Sequence, residues 1–173
     1  MATYTIQVFN QCCLQPFPVK SLISTLQEVH FGSLCRQYGL HPGLIQPALT
    51  HLEVISPAEK AVPYFLLRYQ VEEEPPLIIF QWPTDQKSGA AWLKAASRQV
   101  DDIQIQGHLA QTCEIIGVSL NEGQLDDLGL LLAYEVARWA AFKGQGLVYG
   151  LDGTWYRLNR HRAFLPVSEK PSG

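Results

Sequence analysis

Apolar and polar residues alternate over residues 3–9, Tyr4, Ile6 and Val8 against Thr5 and Gln7, and this period of two predicts a strand. Pro16 and Pro18 then interrupt the chain, and the spacing changes: Val19, Leu22, Ile23, Leu26 and Val29 recur at helical intervals. A helix is predicted over residues 19–30, with a continuation to Tyr38, where Gly39 and Pro42 stop it. Residues 48–55, 63–72 and 77–82 are rich in strand formers and separated by polar, proline-containing turns, which predicts an antiparallel meander.

A further helix is predicted after Thr84 or Asp85, whose side chains suit an N-cap, running to about Val100. Residues 101–118 carry two patterns. Ile103 and Ile105 alternate with glutamines as in a strand, whereas Leu109, Cys113 and Ile116 have helical spacing, so both readings stay open there. A long apolar helix is predicted near residues 122–143, opened by a capping box at Ser119 and Glu122 or at Asn121 and Gln124. Asp126 and Asp127 lie near the positive end of its dipole and Lys143 near the negative end. The stripe Leu128, Leu131, Leu132, Val136 and Trp139 is widened by Leu130, Ala133, Ala137, Ala140, Ala141 and Phe142, so this helix is expected to be covered on more than one side. Gly144 and Gly146 end it. Residues 146–158 then read as a C-terminal β-hairpin turning at Asp152-Gly153, a pair suited to a tight two-residue turn.

This order of elements lacks the regular strand–helix alternation of a doubly wound fold. It predicts an α+β fold, a largely antiparallel sheet packed against helices. The 173 residues suit one domain, with residues 1–167 as a single globular unit and 168–173 as a short polar tail. A hydrophobic content of 47% with 17% charged residues supplies enough apolar surface for a packed core.

The formal net charge of -3 argues against a surface devoted to nucleic acid. The start, Met1-Ala2-Thr3-Tyr4, lacks a basic segment followed by an apolar core. The apolar run at 128–142 contains Glu135 and Arg138 and is too short to span a bilayer comfortably. A soluble, cytoplasmic protein with free thiols at Cys12, Cys13, Cys35 and Cys113 is expected.

Candidate chemistry is sparse. His30, His41, His51, His108 and His161 form no pair at metal-ligand spacing, and nothing in the spacing makes His30 converge with Cys12, Cys13 and Cys35, so no metal or cofactor is expected. Cys113 and His108 are five residues apart and do not share a helix face well. There is no G-x-S-x-G elbow, the pairs Asp101-Asp102 and Asp126-Asp127 point apart, and Gly144-Gln145-Gly146 follows a helix where a dinucleotide loop would precede one. No catalytic residue is assigned, and the sequence leans away from an enzyme. Glu135 and Arg138, one turn apart on an apolar helix, are expected to pair at its solvent edge, with a pocket or subunit contact as the alternative.

The C-terminal segment is the most suggestive. Trp155, Tyr156, Arg157, Arg160, His161 and Arg162, with Asn159 among them and Phe164 just beyond, mix rings with cations, a composition that concentrates binding energy at protein interfaces. The bland reading of the same residues is an edge hairpin whose arginines discourage pairing with other chains. The expected function is a non-enzymatic protein-interaction module, an assembly, regulatory or accessory factor that binds a protein partner through these six residues. Two alternatives stand beside it: a small-molecule enzyme or ligand sensor with a dispersed site, and a nucleic-acid binder using the basic and aromatic segment. Self-association into a homo-oligomer is compatible with each.

Overall fold

The computed structural model describes residues 2–29, 31–39, 41, 43, 45–56, 64–69, 75–125 and 128–167. Eight strands form one fully antiparallel sheet in the order β2-β3-β4-β5-β1-β6-β7-β8: β1 Thr3–Asn10, β2 Glu53–Ile55, β3 Tyr64–Arg68, β4 Leu77–Pro83, β5 Glu114–Asn121, β6 Leu147–Tyr149, β7 Trp155–Leu158 and β8 Phe164–Pro166. Among the described residues, six α-helices accompany them: α1 Val19–Glu28, α2 Phe31–Tyr38, α3 Ile45–Thr50, α4 Lys87–Arg98, α5 Ile103–Ala110 and α6 Leu128–Gly144. The α+β architecture is the one expected from the element order, and the meander β2-β3-β4 is present. No helix of the described residues is long and apolar enough to cross a membrane.

The strand pleat sorts side chains between two cores. Ile6, Val8, Ile116 and Val118 on one face pack against α1 and α6. Phe9 and Ile115 on the other face join Ala96 of α4 and Ile105 and Leu109 of α5 in a second, smaller cluster.

Several boundaries differ from the sequence expectations, each for a local reason. Residues 48–50 belong to helix α3, not to a strand; Ile45, Ala48 and Leu49 are buried at helical spacing, and Pro47 sits in the first turn, where its missing N–H costs nothing. The chain leaves the helical conformation at Val29 (φ -67, ψ 135), so α1 and α2 are separate. Neither Thr84 nor Asp85 caps α4. It opens at Gln86 without a side-chain cap, and the Thr84 hydroxyl donates instead to the Thr112 carbonyl at 3.1 Å. The open segment resolves with the two patterns the other way round: Ile103 and Ile105, which alternate, lie in helix α5, and Ile116, at helical spacing, lies in strand β5. Asp102 caps α5 through the amides of Gln104 and Ile105, and β5 follows. Ile103, which suggested alternation, is 87% exposed.

The Asn121–Gln124 capping box forms, but it closes a single 3-10 turn, Glu122–Gln124, and α6 is described over Leu128–Gly144. Asp126 and Asp127, the strand expected at 70–72, the turn at 72–74, His30 and the tail 168–173 lie outside the described residues. The hairpin pairs Val148 with Tyr156 and Tyr149 with Trp155. Its connection is longer than the two-residue turn expected: Gly150 accepts from the Gly153 amide, and Gly153 (φ 76), not Asp152, has positive φ. Nor is the hairpin at the sheet edge, because β8 pairs beyond β7 and forms the edge itself.

Candidate functional site

Along α6, Leu131, Tyr134, Glu135 and Arg138 are three or four residues apart and therefore share one side of the helix. The β6–β7 connection and the end of β7–β8 pack over this row. The Tyr134 hydroxyl accepts from the Leu151 amide at 3.1 Å. Its ring meets Phe164 edge-on at 6.0 Å, and Tyr156 approaches Phe164 at 5.8 Å. These residues, with Gln37 of α2, Leu130, Asp152 and Ala163, enclose a cavity of about 610 Å³. That size and its mainly apolar and aromatic wall suit a small organic ligand.

Among the described residues, three charged side chains line the cavity. Glu135 is 6% exposed and pairs with the Arg138 guanidinium at 3.0 Å. Burial pushes the Glu135 carboxyl above its ordinary range, and Arg138 opposes the shift. The pair therefore lies in a pocket wall and not at the solvent edge favoured from sequence. Helical periodicity could not show that the hairpin folds back over this side. Arg138 is further held by Nη1 donating to the Arg162 carbonyl at 2.7 Å and by its position 4.6 Å above the Phe164 ring. Its Nε is buried without a partner among the described residues.

Asp152 accepts from the Thr154 amide at 3.0 Å and from the Tyr156 hydroxyl at 2.5 Å. Burial raises its carboxyl, but the hydrogen bonds from Tyr156 and Thr154 outweigh this and bring it below the usual range. The same bond to Asp152 leads in raising the Tyr156 phenol above its ordinary value, so Tyr156 stays a protonated donor.

The six residues expected to bind a partner do not form one surface. Tyr156 enters the cavity. Trp155, its neighbour on the opposite pleat, packs in the second core at 5.1 Å from Phe9 and 5.0 Å from Tyr149. Arg157, Arg160 and His161 are exposed and line an open surface groove with Leu165. Arg162, at φ 61, lays its guanidinium 3.6 Å over Phe142 and lends its carbonyl to Arg138. Sequence reasoning missed Tyr134, noted Phe164 as a ring of the C-terminal segment without placing it in a site, and read Asp152 only as a turn former. The signal that did exist was the charged pair on an apolar helix.

The other reactive side chains serve structure. The His108 Nε2–H donates to the Phe9 carbonyl at 2.7 Å, so Nδ1 accepts from the Gln11 amide at 3.1 Å. Burial lowers the His108 pKa, with the Phe9 bond opposing. The Cys113 thiol donates to the Gln11 carbonyl at 3.3 Å, and burial, followed by the neighbouring Cys13 thiol, pushes it up to about 12. A thiol so rarely ionised is the opposite of an activated nucleophile. Among the described residues, no three His, Cys, Asp or Glu side chains converge as metal ligands.

Compared with family models, with curated proteins and with solved structures, the chain gave no significant match, so the site is read from its own geometry.

Proposed function

We propose that this protein is a small-molecule binder, a ligand sensor whose site is the cavity between α6 and the C-terminal strands. The observation that carries the reading is the Glu135–Arg138 pair buried in the wall of a 610 Å³ cavity. Desolvating two charges is expensive, and an apolar pair of the same volume would serve packing equally well or better. A cavity wall that keeps charge invites a polar ligand. Binding without turnover fits the side chains at the cavity: Tyr156 holds its proton, Asp152 is engaged by two donors, and among the described lining residues no nucleophile is paired with a base. The expected setting is the cytoplasm, in keeping with four free cysteines.

The test is thermal denaturation with a metabolite library, run in parallel on a Leu130→Trp variant that fills the cavity. One chemical class should stabilise the parent protein, by about 2.7 kcal/mol at a hundredfold excess over Kd. The variant should melt normally but lose the shift. Stabilisation that survives in Leu130→Trp, or no stabilising class at all, overturns the reading.

A second reading is favoured by the groove at the sheet edge. Arg157, Arg160 and His161 surround Leu165, which is 38% exposed, beside the three-residue edge strand β8. Cations around an apolar anchor suit an acidic protein partner, which keeps the interaction-module expectation in play for three of its six residues, with β8 also available to a second copy of the chain. The double variant Arg157→Glu/Arg160→Glu is expected to melt within about 2 °C of the parent, because both side chains are exposed. It should also lose a stoichiometric partner that the parent retains on affinity purification. Retention of that partner would remove the reading, and capture of nucleic acid released by moderate salt would redirect it.

A further inference from the structure

The charges in the cavity do not balance. Among the described residues, two carboxylates, Glu135 and Asp152, face one guanidinium, Arg138, so that part of the lining carries one net negative charge. Arg138 is committed to Glu135 and to the Arg162 carbonyl. Among the described residues, no cation pairs with Asp152. The unpartnered Arg138 Nε has no accessible surface, and Nη1 and Nη2 each already donate one bond, so a bound anion would have to share a guanidinium that Glu135 already neutralises.

Three aromatic rings, Tyr134, Tyr156 and Phe164, line the same cavity as Asp152, and the Tyr156 hydroxyl donates to it. A cation already rests on one of them, since the Arg138 guanidinium lies 4.6 Å from the Phe164 centroid. Rings attract cations through their quadrupole, and the attraction is strongest for weakly hydrated ones. Each Asp152 oxygen already accepts one bond, from Thr154 or Tyr156, which leaves about two of the carboxylate's roughly four acceptor sites, and the Tyr134 hydroxyl accepts from Leu151. A primary ammonium brings three donors that need acceptors. A fully alkylated ammonium brings none, and its methyl groups suit an aromatic wall.

We propose that the cavity between α6 and the C-terminal strands binds a small quaternary ammonium compound, held by the Tyr134, Tyr156 and Phe164 rings and the charge of Asp152. This rests on the cavity being a ligand site, as proposed above.

Three probes of one shape test it by calorimetric titration at low salt and near-neutral pH: choline, its uncharged carbon isostere dimethylbutanol, and the anion tert-butylacetate. Choline is expected to bind at least about tenfold more tightly than dimethylbutanol, and tert-butylacetate not at all. Asp152→Asn keeps an acceptor for the Thr154 amide while removing the charge. It should weaken choline about five- to tenfold and leave dimethylbutanol unchanged. Equal binding of choline and dimethylbutanol, tighter binding of tert-butylacetate, or choline binding that persists in Leu130→Trp would overturn the proposal. If none of the three binds but a library compound stabilises the parent and not Leu130→Trp, the ammonium assignment falls and the ligand site stands. If neither happens, both fall.

Discussion

Replacing Glu114 by alanine is expected to lower the unfolding free energy by about 3–5 kcal/mol, the largest loss from any single polar side chain in this protein. Glu114 opens β5 and is fully buried. Its Oε2 accepts from the Leu14 amide at 3.0 Å and from the Asn10 side-chain amide at 3.4 Å, and its Oε1 from Gln81 at 2.7 Å. Gln81 also donates to the Leu14 carbonyl at 2.8 Å. One carboxyl thus ties the end of β1, the loop after it and the neighbouring strand β4. Alanine strands these donors in the interior, at about 1–3 kcal/mol for each left unsatisfied. The site cannot easily collapse around them, because Asn10 is already in close contact with the end of α6. A Cβ at Gly144 would lie 2.2 Å from Asn10 Cγ, and one at Gly146 2.3 Å from Asn10 Oδ1. For a chain of this length each kcal/mol moves Tm by roughly 2–4 °C, so a drop on the order of ten degrees is expected. Glu114→Gln keeps one acceptor and should lose less. An alanine variant melting within about two degrees of the parent would show that the loop is held by other means.

The second large effect is expected from Arg138→Met, and it should depend on pH. In the parent, burial raises the Glu135 carboxyl above its ordinary value of 4.5, and Arg138 restrains the rise. A carboxyl raised by folding gives its stabilisation below the ordinary value, where it is protonated in both states. That stabilisation is lost as the pH climbs through the folded value. Without the guanidinium the folded value climbs further, so the penalty from an unpaired buried charge appears over a wider interval. The variant should therefore lie close to the parent at acid pH and fall behind by about 2–4 kcal/mol near neutrality. The lower part of that range is favoured, because Arg138 keeps 26% of its side chain exposed and solvent screens the pair. Chemical denaturation at a series of pH values measures the difference. Adding Glu135→Gln to Arg138→Met should recover most of the neutral-pH loss. A deficit of the same size at every pH would mean that the lost packing on Phe164, and not the buried charge, sets the effect.

How much of this was legible in the sequence depends on the range of the interaction that decides it. Period-two and period-3.6 patterns are local, and they gave β1, the meander, α1, α4, the apolar helix and the final hairpin. Boundaries failed where a side chain found a distant partner: Thr84 turned from capping α4 to bonding Thr112 across 28 residues. The segment at 101–118 looked ambiguous because it contains a helix followed by a strand. The exposed Ile103 mimicked alternation, while the cap at Asp102 was the truer sign.

The candidate site shows the same division. The sequence marked Glu135, Arg138 and Tyr156 as unusual, because charge on an apolar helix and rings beside arginines are visible in composition alone. It could not join them, since Glu135 and Tyr156 meet only when β7 and β8 extend the sheet beyond β6 and the connection at 150–154 drops Asp152 beside α6. It could not separate Trp155 from Tyr156 either. Adjacent strand residues point to opposite faces, and which face meets α6 is fixed by the register of Val148 with Tyr156. The sequence by itself determined the α+β class and most of its elements, through short-range periodicity. Only the tertiary structure decided which polar residues are buried, which of them meet, and where a cavity is left, because those outcomes depend on long-range strand pairing and on the desolvation of charges that pairing brings together.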